Sequence, residues 1–66
     1  MMEHEYVATI KNMYTKDVRS VTVHGSTVME AHKIAYMRHT TNDEDVDSMR
    51  DCTTGELVFD IKKGFN

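Results

Sequence analysis

One stretch of this chain carries a helix-start signature followed by helical periodicity, and that stretch constrains the fold more than any other. Gly25-Ser26 leads into Thr27-Val28-Met29-Glu30, in which Thr27 and Glu30 have the spacing of a capping box. In such a box each side chain satisfies a backbone N–H that the first helical turn leaves without a partner. Val28, Ala31, Ile34, Ala35 and Arg38 then recur at spacings of three and four, an apolar stripe closed by a long amphipathic side chain. A helix over 27–39 follows, with Met29 and Tyr36 flanking its buried stripe. The polar run Thr40-Thr41-Asn42 stops it, Asn42 being the candidate C-terminal cap.

Both flanks of this helix read as strand. Residues 6–11 alternate Tyr6, Ala8, Ile10 with Val7, Thr9, Lys11, and residues 18–24 alternate Val21 and Val23 with Ser20, Thr22 and His24. With the polar connection 12–17 they make an antiparallel hairpin. Residues 46–52 form a third strand whose two faces are both mixed, which suits an edge or a two-sided polar strand. Thr53-Thr54-Gly55 is a hairpin loop, and 56–61 sets Leu57, Phe59 and Ile61 against Glu56, Val58 and Asp60 as a fourth strand. The order strand, strand, helix, strand, strand implies a two-layer α+β domain, an antiparallel sheet with one helix packed on one face. The other face is left uncovered, with Val7, Val58 and Met49 as the apolar residues expected there. Residues 1–5 and 62–66 are expected to fray, with Phe65 either tucked under the sheet or exposed.

The 66 residues make a single domain with a thin core. That argues against a deep enzyme pocket and makes a homodimer worth entertaining. A single cysteine, Cys52, allows no internal disulfide, and no apolar run suggests a signal peptide or a membrane span. A reducing cytoplasm is the expected compartment. The net charge of −3 and pI near 5.7 are the opposite of the basic footprint of a nucleic-acid binder. Direct nucleic-acid binding is therefore disfavoured.

The charge is polarised. Within 43–60, seven carboxylates against Arg50 leave a formal charge of −6, including Asp43, Glu44, Asp45, Asp47 and Asp51. Such a segment is either a solvated face or a surface that selects a basic partner. The alternation of Asp43, Asp45 and Asp47 resembles the start of an EF-hand loop. It fails that test, because Ser48 stands where the glycine is needed and Thr54 where the bidentate glutamate is needed. His24, His32, His39 and Cys52 lack metal-ligand spacing, so no metal, cofactor or catalytic group is expected. Met13 and Tyr14 are large apolar residues in a polar connection, and residues of these types are enriched at interface cores. They are candidate contacts.

The segments Tyr6-Val7-Ala8-Thr9-Ile10, Val21-Thr22-Val23, Ser26-Thr27-Val28-Met29-Glu30-Ala31 and Asp45-Val46-Asp47-Ser48-Met49-Arg50 together resemble small early proteins of bacteriophages. In outline the chain is similar to phage-encoded inhibitors of bacterial RNA polymerase. The strand followed by Thr-x-x-Glu-Ala is shared with HicB-type antitoxins, and the fourth strand departs from the inhibitor outline. The resemblance implies a non-enzymatic protein that binds a host macromolecule in the bacterial cytoplasm, with Arg19 and Arg50 as strand-borne contacts. The alternative is a self-associating regulatory or structural module.

Overall fold

Alternation carries the first strand further than the apolar residues alone suggest. In a computed structural model describing residues 3–65, β1 runs His4–Asn12 and pairs along its length with β2, Val18–Gly25. His4 and Glu5 are held opposite Gly25 and His24, so the expected fraying does not reach them. Met1, Met2 and Asn66 lie outside the described residues.

The helix α1 spans Val28–His39. Thr27 Oγ1 accepts from the Glu30 N–H at 3.1 Å, and Glu30 Oε1 accepts from the Ser26 N–H at 3.0 Å. The glutamate thus reaches one residue beyond the N-cap itself. At the other end the cap is Thr40 rather than Asn42, and its hydroxyl donates to the Tyr36 carbonyl. Ala31 and Ala35 are fully buried, with Val28 and Ile34 packed beside them, as the stripe predicts. Met29 and Tyr36 do not flank the core. Both are more than half exposed, as is Met37, because they lie on the side of the helix opposite the two alanines.

Beyond the helix come β3 at Glu44–Asp51, β4 at Leu57–Asp60 and a two-residue β5 at Gly64–Phe65. All pairings are antiparallel, in the order β2-β1-β3-β4-β5. Among the described residues the sheet therefore has five strands, and residues 64–65 are tied by β5 rather than frayed. Strand β3 lies inside the sheet between β1 and β4, not at an edge.

The misreading of β3 has a physical cause. Thr9 pairs with Ser48 but Ile10 pairs with Val46, so Asp47 is an extra residue in a bulge. Without it, Val46 and Met49, three apart, would face opposite ways. With it both face the helix, and both are fully buried. A second shift, Phe59 opposite Met49 and Leu57 opposite Arg50, leaves Val58 as the extra residue of β4. Phe59 is therefore core, Leu57 is on the far face, and Ile61 lies in the following turn, exposed.

The core is one cluster of Tyr6, Ala8, Ile10, Val23, Ala31, Ala35, Val46, Met49 and Phe59. His32 covers its far end, its ring 4.5 Å from Phe59 and 5.2 Å from Phe65. Phe65 thus packs on the core's rim while staying partly exposed. The uncovered face differs from expectation. Met49 is buried under the helix and Val58 packs against the core, so of the three residues expected there only Val7 lies on it. Cross-strand partners share a face. The far face thus reads Thr22, Val7, Arg50, Leu57 in one row, Ser20, Thr9, Ser48, Asp60 in the next and Val18, Lys11, Asp45 beyond it, so among the described residues Val7, Leu57 and Val18 are set apart by polar neighbours.

Candidate functional site: the β1–β2 loop end

With the far face polar, exposed apolar side chains concentrate elsewhere. The connection from β1 to β2 is built by Asn12, whose Oδ1 accepts from the Tyr14 and Thr15 N–H groups, both at 2.9 Å. The Asn12 backbone closes the same loop, its N–H donating to the Asp17 carbonyl and its carbonyl accepting from the Lys16 N–H, each at 2.8 Å. Lys16 turns the chain with a left-handed φ of 68°, and its Nζ donates to the Met13 carbonyl at 2.7 Å. From outside the loop, the Asp43 carbonyl accepts from the Met13 N–H at 2.8 Å. The loop is thus fastened at its base and to the α1–β3 connection. It holds Tyr14 79% exposed and Met13 44% exposed.

Beside it lies a polar tie. Arg19 donates to Glu44 through Nη2 at 3.0 Å and through Nε at 3.3 Å, and also to the His39 carbonyl at the end of α1. Glu44 accepts from the Thr41 N–H at 3.0 Å as well. The Arg19 hydrogen bond, and then that from Thr41, hold the Glu44 carboxyl below its ordinary value, and the same bond raises Arg19. Arg19 and Glu44 thus join β2, α1 and β3 to one another. An open groove lined by Tyr36, Met37, Thr40, Thr41, Asn42 and Glu44 runs along this tie.

The residues singled out in the sequence separate into groups. Met13, Tyr14, Arg19, Asp43, Glu44 and Asp45 come together at the loop end, Asp45 opposite Lys11 in the sheet. Asp47 sits in the bulge. Arg50 lies on the far face beside Val7 and donates to the Gly55 carbonyl at 3.1 Å. Asp51 is at the opposite end, where its Oδ1 accepts from the Thr53 and Thr54 N–H groups and shapes the β3–β4 turn. Asp60 does the same for Lys62. Much of the acidic segment is therefore occupied with turns and the Arg19 tie. Tyr36 and Met37 are the residues that sequence reasoning missed. Their positions opposite Ala31 and Ala35 on the helical wheel were the available signal.

The histidines and the cysteine are scattered. His24 Nε2 is 3.3 Å from Glu5 Oε2 at the far end of the hairpin, and His32 sits among the rings of Phe59 and Phe65. Cys52 is exposed in a turn, its thiol raised by desolvation and then by Glu5 and Asp51, which disfavours the nucleophilic thiolate. Among the described residues no group of three or more His, Cys, Asp or Glu is arranged to hold a metal ion, and no helix is long and apolar enough to cross a membrane. Comparison with protein-family models, curated proteins and solved structures finds no match. The functional reading therefore rests on the chain's own chemistry.

Proposed function

We propose that this chain is a non-enzymatic protein-binding module, a phage or prophage protein that inhibits or redirects a host macromolecule such as RNA polymerase in the bacterial cytoplasm. Docking is through the β1–β2 loop end. The observation that carries the reading is the fastened loop, in which six hydrogen bonds hold Tyr14 and Met13 outward. A loop already ordered in the free protein loses little conformational entropy on binding, and Tyr and Met supply large contact areas there. Around the pair Asp17 and Asp43 outweigh Lys16 by one charge, which favours a partner with a basic rim. The phage assignment draws on the sequence resemblance alone.

The test is affinity capture from bacterial lysate with wild type, with the Met13→Ser/Tyr14→Ser double variant, and with Asp43→Asn. Wild type retains a discrete partner that the double variant loses while keeping wild-type circular dichroism. Asp43→Asn weakens the complex, and its salt dependence is shallower than that of wild type. Equal recovery by wild type and the double variant refutes the site.

A further inference from the structure

We propose that two copies of this chain associate through the outer edge of β2, giving one continuous antiparallel sheet about a twofold axis that passes beside Thr22 and Ile34. This surface is separate from the loop end.

The two edges of the sheet are unlike. At one, β4 is covered among the described residues only by the two residues of β5, which follow a turn containing Lys62 and Lys63 and begin with Gly64 at a φ of 84°. Short edge strands, lysines and irregular backbone are devices that prevent strand addition. At the other edge β2 presents eight residues in unbroken register with β1, with no bulge and no proline. Its one arginine, Arg19, turns back to Glu44 and the end of α1, and His24 lies against Glu5. Nothing on β2 repels a second strand, and among the described residues β1 is its only strand partner.

The helix above this edge points to what that strand is. Two adjoining open grooves meet at Ile34, one lined in part by Thr22, Val23 and Arg38, the other in part by Glu30, Met37 and Arg38. Read along the helix, Glu30 and Arg38 on this flank stand one turn either side of Ile34, an acid and a base about an apolar centre, with Lys33 and Met37 beside them in the second groove. Such a flank is complementary to itself. A twofold axis normal to the sheet at Ile34 sets Glu30 against Arg38 of the second copy, and the reverse, giving two ion pairs around an apolar contact.

The strand register agrees. An axis at Thr22 places Val21 opposite Val23 of the second copy and Ser20 opposite its His24, and it keeps both helices on the same face, since paired residues share a face. Strands in a sheet lie about 4.8 Å apart, and α1 packs on β2 as well as on β1 and β3, so the β2 side of each helix faces the axis. Thr22 and Ile34 line the same groove, so the strand pairing and the helix contact lie on the same side of the molecule.

Sedimentation equilibrium of the intact chain over a range of concentrations is the test. Wild type forms a dimer. Arg38→Glu, which turns both cross-axis ion pairs into like-charge contacts, weakens it by at least about tenfold, and Arg38→Ala weakens it less. The swap Glu30→Arg with Arg38→Glu restores association relative to Arg38→Glu, whereas Met13→Ser/Tyr14→Ser leaves it unchanged. Circular dichroism confirms that each variant is folded. A wild type that stays monomeric throughout, an Arg38→Glu variant that dimerises as tightly as wild type, or a swap that restores nothing overturns the proposal.

Discussion

Gly25 shows how one residue couples strand to helix. A Cβ added there would lie 2.8 Å from the backbone nitrogen of Ala31, so the close approach of α1 to the end of β2 depends on its absence. Gly25→Ala is expected to destabilise the fold by about 1–3 kcal/mol, as overpacking does. Gly55→Ala meets no neighbour and costs only the left-handed backbone penalty of about 1 kcal/mol at its φ of 74°. Urea denaturation of the two variants measures the difference. His32 supplies a second prediction at this scale. Burial against the core lowers its pKa below 6.5, and Asp45 only partly opposes that. The unfolded chain then binds the proton first, so stability is fully present above 6.5 and declines as pH falls through that value. His32→Leu should show a flatter decline in melting temperature between neutral pH and the carboxylate range. Glu44 acts in a lower window. Its stabilisation is present above 4.5 and is lost as pH falls through its depressed folded value. The glycine turn before the helix was legible in the sequence, but the reason no other residue fits at Gly25 was not, because Ala31 approaches it only in the folded chain.

At the scale of the element, α1 is the part that the sequence specified most fully. Its capping box is local chemistry between Ser26, Thr27 and Glu30, and local chemistry is what a sequence displays. Thr27→Ala should cost about 1 kcal/mol by thermal denaturation. The C-terminal side of the helix was less legible, because part of its capping comes from Arg19, twenty residues away, donating to the His39 carbonyl. Arg19→Gln and Glu44→Gln should each lower the melting temperature, and the double variant should lose less than the sum of the two, since both remove the same contact. Strand β3 was found but misplaced. Its buried residues Val46 and Met49 are three apart, and only the bulge at Asp47 reconciles that spacing with one face. No period-two template finds such a strand's buried face. Strand β5, two residues long, is too short to carry any pattern.

For the molecule as a whole, the sequence predicted a helix over an antiparallel sheet, but not that β1 lies between β2 and β3. That order follows from long-range pairing across the helix and decides which surfaces remain. It makes β2 an edge, puts β3 inside, and gathers the β1–β2 loop, the end of α1 and the start of β3 at one end. The candidate site was legible in part for the same reason. Met13 and Tyr14 stood out as large apolar residues in a polar loop, whereas Asp51 was grouped with them as part of the acidic run and Arg50 through the resemblance, and both are drawn away by the length of β3. The binding reading is tested most directly by placing a photo-crosslinking amino acid at Tyr14, and separately at Thr54 in the β3–β4 turn, then irradiating in bacterial lysate. A discrete adduct from position 14, competed by unlabelled wild type and absent from position 54, is the predicted result; no adduct at 14, or the same adduct from both ends, contradicts it.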